Sequence, residues 1–137
     1  MKIAFVASEA NPLAKTGGLA DVVHALAVEL TKKGDEVIIV MPYFRSMARH
    51  KEKYGFKALS EFPVYLSWRT QKADVSTCEI HGVKYYLVGN GYYFDRDDIY
   101  GYGDDGERFA FFTLASKILL NVIDFHPDIV HVHDWQS

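Results

Sequence analysis

Apolar residues along the chain recur at two different spacings, and the changes of spacing mark its elements. Ile3-Ala4-Phe5-Val6-Ala7 and Val37-Ile38-Ile39-Val40 are continuous apolar runs of strand length, the second closed by Pro42. Between them Leu19, Val22, Val23, Leu26 and Leu30 recur at helical spacing, which predicts an amphipathic helix with that stripe turned to a core. Its end is predicted at Lys32-Lys33-Gly34, where cations meet the negative end of the helix dipole and glycine takes the terminating conformation. Strand, helix and continuous apolar strand make a right-handed crossover unit in a parallel sheet buried on both faces. The polar and basic stretch from Tyr43 to Lys57 reads as a solvated loop or short helix.

Farther along, Phe62 to Trp68, Ala73 to Ile80 and Val83 to Val88 read as short β-rich segments, the last two joined tightly at His81-Gly82. Such hairpins inserted in a parallel sheet extend an edge or wall a cleft. Gly89 to Gly106 is rich in Gly, Asp and Tyr and predicts a surface loop. A second helix is expected from about Asp105 to Asp124, apolar around much of its circumference and therefore buried. Asp104 and Glu107 have the spacing of a capping box at its start, and His126-Pro127-Asp128 stops it. Ile129 to His133 then reads as one more strand. The fold class expected is α/β: a Rossmann-like parallel sheet flanked by helices, with an antiparallel hairpin insertion.

Composition narrows the function classes. The 137 residues suffice for one domain with a core, and 49% hydrophobic with 24% charged residues is ordinary for a globular chain. A formal net charge of -3 gives no general attraction to nucleic acid or an anionic membrane. Cys78, the single cysteine, cannot form an internal disulfide, and no apolar run reaches membrane-spanning length, so a cytoplasmic protein is expected. Cys78 is read as strand packing rather than a nucleophile.

The candidate chemistry gathers where strands end. Pro12-Leu-Ala-Lys-Thr-Gly-Gly-Leu-Ala-Asp21 puts a lysine and two glycines between the first strand and the first helix. There, unpaired helix N–H groups and the dipole favour an anion, Gly17 and Gly18 admit it closely, Lys15 adds charge and Thr16 suits the cap. The same residues also suit a helix entrance that binds nothing. The Gly-x-Gly-x-x-Gly fingerprint of dinucleotide enzymes is absent. Glu9, just past the first strand, faces either a sugar hydroxyl or solvent. Asp21 either contacts substrate or favours the dipole, and Tyr100 either lines a pocket or packs its loop. His131 and His133 fall on one strand face, but no third ligand completes a metal site. The carboxylates of the 89–106 loop do not match an EF-hand order, and no metal or cofactor is expected. His133-Asp134 emerges at the same sheet edge as Lys15.

Several of these motifs, taken together and in order, resemble one family. Met-Lys-Ile-Ala-Phe-Val-Ala-Ser-Glu at the N-terminus, Lys15-Thr-Gly-Gly-Leu-Ala-Asp21, Tyr100, Glu107-Arg-Phe-Ala-Phe-Phe112 and His133-Asp-Trp135 look like bacterial glycogen synthases and plant starch synthases. The resemblance implies the two-domain GT-B fold and retaining transfer of glucose from ADP-glucose to the non-reducing end of an α-1,4-glucan. It implies Asp134 as a catalytic residue and Lys15, Gly17, Gly18, Glu9, Asp21, Tyr100 and His133 as substrate-binding. Two positions depart from its pattern: Asp105 and Gln136 stand where relatives often have asparagine and histidine. It further implies that residues 1–137 are a partial N-terminal domain, that the C-terminal domain completing the site is absent, and that the isolated chain is inactive. A glycosyltransferase of the same fold using a UDP- or GDP-sugar, and a non-enzymatic nucleotide-sugar-binding module, are the alternatives.

Overall fold

A computed structural model describes all 137 residues. The elements are β1 (Lys2–Val6), α1 (Gly18–Lys32), β2 (Glu36–Pro42), a 3₁₀ turn (Arg45–His50) running into α2 (Lys51–Tyr54), β3 (Lys57–Leu66), β4 (Arg69–Ile80), β5 (Val83–Gly89), α3 (Asp105–Val122) and β6 (Ile129–Val132). They form a six-stranded sheet of order β3-β4-β5-β2-β1-β6. β5, β2, β1 and β6 are parallel, while β3 and β4 add an antiparallel edge. The α/β reading and the hairpin extension therefore stand. β1 and β2 read as unbroken apolar runs because both of their faces are covered, so Ile3 to Val6 and Val37 to Met41 are all buried.

The crossover from β1 through α1 runs toward β2, and the one from β5 through α3 runs the other way, past β2 and β1 to β6. Right-handed crossovers in opposite directions put the two helices on opposite faces of the sheet. The hairpin at His81-Gly82 has positive φ at both residues (52° and 82°), the geometry of a tight turn matched to strand twist.

α1 ends as predicted. Gly34 adopts φ 99°, its N–H bonds to the Thr31 carbonyl and the Asp35 N–H to that of Leu30, the paired bonds of a Schellman termination. The predicted stripe of α1 needs correction, because Val22 and Leu26 are exposed and the buried residues are Ala20, Val23 and Ala27. Small alanines let the helix approach the sheet closely, and their weak hydrophobic signal hid that face. Both predicted caps are also overturned. Thr16 is not the cap of α1, whose N-cap is Gly17 with no side-chain bond. Asp104 is the N-cap of α3 but makes no capping bond: its carboxylate is held by Arg96 at 2.6 and 2.8 Å. Glu107 is taken by Tyr93 and Arg69. Asp104 forms a bidentate pair with Arg96, two charge-assisted bonds where a cap would offer one, and Glu107 meets the single Tyr93 hydroxyl and Arg69 at 3.3 Å.

Candidate functional site

In an open α/β sheet the place for a ligand is the crevice outside the carboxyl ends of the strands where connections diverge. Here that point lies between β1 and β6, because the chain leaves β1 toward β2 on one side and arrives at β6 on the other. The ladder continues just past both strands, with the Ala7 N–H on the Val40 carbonyl and the His133 N–H on that of Val6. Two segments then rise into the crevice, Ser8 to Leu19 and His133 to Ser137, and Tyr100 reaches in from the 90–104 loop.

Glu9 organises the first segment. It is buried, and its carboxylate accepts from the Thr16 N–H (2.5 Å), the Thr16 hydroxyl (2.8 Å) and the Tyr100 hydroxyl (2.5 Å). Thr16 is thus spent on the loop rather than on the helix, which leaves the first N–H groups of α1 uncapped beside Gly17 and Gly18. No neighbour lies within 4 Å of a Cβ built on either glycine, so the approach to those donors is open. Lys15 is half-exposed and bonds Asp21 at 2.7 Å, while the Asn11 amide donates to the other Asp21 oxygen at 3.1 Å. An exposed ion pair of this kind is worth under about 1 kcal/mol, so an incoming polyanion can draw Lys15 away at little cost.

Tyr100 has one proton and gives it to Glu9, so its oxygen accepts from Ser8 at 2.6 Å. Burial raises its pKa, the bond to Glu9 raises it further, and the charges of Glu9 and Asp134 add to this. The phenol is thereby a fixed neutral donor. Asp134 sits at φ 65°, a left-handed conformation that aspartate tolerates better than most residues, and its carboxylate accepts the Trp135 N–H at 2.8 Å. His133, by contrast, is buried beneath the crevice, stacked on His131 with ring centroids 4.1 Å apart and tilted against Phe5. Burial and His131 lower its pKa, so the ring is neutral. Its Nε2 and the Gln136 Oε1 are buried without a partner. Trp135 meets Phe109 edge-on at 5.5 Å and borders an apolar groove of about 490 Å³ against α3.

Of the residues picked out in the sequence, Glu9 is buried and bonded to Thr16 and Tyr100, Lys15 pairs with Asp21, Gly17 and Gly18 face clear space at the head of α1, Asp134 follows β6, the strand paired with β1, and His133 is buried against Phe5. Sequence reasoning missed Ser8, Asn11 and above all Arg108. Arg108 has no exposed surface, although it is an arginine. Its Nε donates to the Tyr93 carbonyl (2.7 Å) and its Nη1 to the Ile99 carbonyl (2.9 Å) and Asp105 (2.8 Å). The guanidinium lies over the rings of Tyr102, Phe109 and Phe94 at 4.9 to 5.6 Å. The signal was present in the sequence: a lone cation on the apolar face of a buried helix needs partners.

The uncapped head of α1 beside two open glycines and a lysine suits binding of a phosphorylated or diphosphate ligand. Comparison with known proteins identifies a family. The family model described as the starch synthase catalytic domain matches residues 2–137. A glycogen synthase of Lactococcus lactis subsp. lactis (strain IL1403) is 49% identical over the whole chain, which spans 29% of that protein. One of Anoxybacillus flavithermus (strain DSM 21510 / WK1) is 44% identical, with 28% of its length covered. Among solved structures, the catalytic domain of starch synthase IV from Arabidopsis thaliana bound to ADP and acarbose superposes with a TM-score of 0.86. That match is 30% identical and covers 98% of this chain and 28% of the other.

Proposed function

Since the chain belongs to the family of the starch synthase catalytic domain, we propose that it forms the N-terminal, Rossmann-like part of a GT-B glucosyltransferase that moves glucose from ADP-glucose to the non-reducing end of an α-1,4-glucan with retention. The observation that carries this reading is the uncapped head of α1, with Gly17, Gly18 and Lys15, following β1 at the switch point, where β1 pairs with the strand that leads to Asp134. Loss of ADP from the donor builds negative charge on its diphosphate. Fixed N–H groups and a lysine stabilise that charge most where it develops, without needing a metal. Lys15 leaves Asp21 for the diphosphate, and Asp21, held by Asn11, remains to receive a donor hydroxyl. Asp134 orients the transferred sugar near the acceptor, a positioning task that contributes through entropy and exclusion of water, while Tyr100 holds Glu9 and the loop in place. His133 acts from below as a neutral ring packed beneath Asp134. The ADP in the Arabidopsis structure supports the nucleotide part of the reading, and its acarbose supports a glucan-like acceptor.

The chain spans only 28–29% of the curated relatives' length, so turnover is proposed to need groups that lie, in those relatives, outside the region it matches. Binding is the direct test. Titration calorimetry of the 137-residue chain should give saturable one-to-one binding of ADP-glucose at about millimolar affinity (~4 kcal/mol). UDP-glucose should bind more weakly. Lys15→Gln should weaken ADP-glucose binding by about tenfold or more, the worth of one hydrogen bond to a charged group. Equal affinity for Lys15→Gln and the unaltered chain would remove the lysine from the donor site.

A further inference from the structure

We propose that Arg108 is a positioning residue for the donor site, acting through Tyr100 and Glu9 on the glycine loop at the head of α1. The inference rests on the reading of that loop as the donor site, but its mechanical part stands on geometry alone. One guanidinium, wholly buried in the first turn of α3, grips the 90–104 loop at two separated points, the carbonyls of Tyr93 and Ile99. Its third bond is to Asp105, whose two oxygens receive the N–H groups of Gly101 (2.9 Å) and Tyr102 (3.2 Å). Arg108 and Asp105 together therefore fix the residues on both sides of Tyr100. Tyr102 also shields the guanidinium with its ring at 4.9 Å.

From Tyr100 the chain of contacts is continuous. Its hydroxyl donates to Glu9 at 2.5 Å, and the other Glu9 oxygen accepts the Thr16 N–H, one residue before Gly17. The glycine loop thus takes its shape from a buried carboxylate whose remaining partner is set by α3 on the opposite face of the sheet. Two of the three guanidinium nitrogens, Nε and Nη1, supply these bonds from separated points of one plane, and Nη2 is buried without a partner. A lysine at 108 would keep the charge but could not span two carbonyls and a carboxylate in one plane.

Amide hydrogen exchange and ADP-glucose titration of the 137-residue chain test this with Arg108→Lys, Tyr100→Phe and the double variant. The expected result for Arg108→Lys is a loss of protection of tenfold or more at Gly101, Tyr102 and Thr16. Ile39 and Val40 in β2 should keep theirs. ADP-glucose affinity should fall by about tenfold, and the fall should vanish when Arg108→Lys is made in the Tyr100→Phe background, because the pathway is already cut. Protection lost equally at Thr16 and Ile39 would make Arg108 merely a core residue and overturn the proposal. So would an unchanged Thr16 amide, or affinity losses that add fully in the double variant. If the unaltered chain binds no ADP-glucose, the donor-site reading fails, while the exchange pattern still decides whether Arg108 governs the loop.

Discussion

At the scale of single residues, the site is built from side chains whose ordinary chemistry has been fixed by burial. Glu9 is the clearest case, an acid expected to meet sugar or solvent and found saturated by Thr16 and Tyr100. The histidines show the same effect with a consequence for stability. His24 donates to Tyr85, because Tyr85 spends its one proton on the Asn11 carbonyl at 3.0 Å, and its other nitrogen meets His81 at 3.0 Å. Burial, then His81, lowers the His24 pKa below the ordinary 6.5; burial, then His131, does the same to His133. A histidine whose folded pKa is lowered binds fewer protons in the native state than in the unfolded state. Its contribution is therefore complete above pH 6.5 and is lost as pH falls below that value toward the folded pKa. Urea midpoints measured from pH 7.5 to 5 should fall, and His24→Gln should flatten part of that fall. A midpoint that rises on acidification would contradict the sign.

At the scale of elements, the glycines separate into two kinds that sequence alone does not distinguish. Gly34 is required by the backbone, at φ 99°, to end α1. Gly17 is extended, at φ -163°, and any residue could adopt its conformation; what it offers is clear space before the helix donors. Gly34→Ala is accordingly expected to cost about 1 kcal/mol of stability and leave ligand binding unchanged. Gly17→Ala should cost about 0.5 kcal/mol or less and weaken ADP-glucose binding, since its methyl enters the approach path. Thermal melts paired with titrations of both variants separate the two roles. The elements themselves were legible because β1, β2 and the end of α1 each satisfy several local rules at once. The caps were not, because Thr16 and Asp104 obey local capping rules yet are claimed by Glu9 and Arg96 from elsewhere in the fold. The buried face of α1 was also misread, since alanines at 20 and 27 mark close packing without a strong apolar signal.

At the scale of the whole molecule, topology does what no motif does alone. The strand order places β1 and β6 side by side, so that the segments carrying Lys15 and Asp134, more than a hundred positions apart, leave the sheet from neighbouring strands. Sequence could place each at the carboxyl end of a strand; it could not say that those strands are neighbours, nor that Arg108 ties the loop between them. No helix is long and apolar enough to cross a membrane. On β6, Ile129, Val130 and Val132 are exposed at the sheet edge, next to the switch point. On this topology the switch point, and not another hollow, is proposed to receive the nucleotide sugar. A two-dimensional amide NMR titration with ADP-glucose tests it most directly. Shifts are expected to concentrate at Thr16, Gly17, Gly18, Leu19, Tyr100 and Asp134, with β3 and β4 silent. Shifts centred instead on the polar hollow between Arg45, Asp74 and Asn90, or none at saturating ligand, would contradict it.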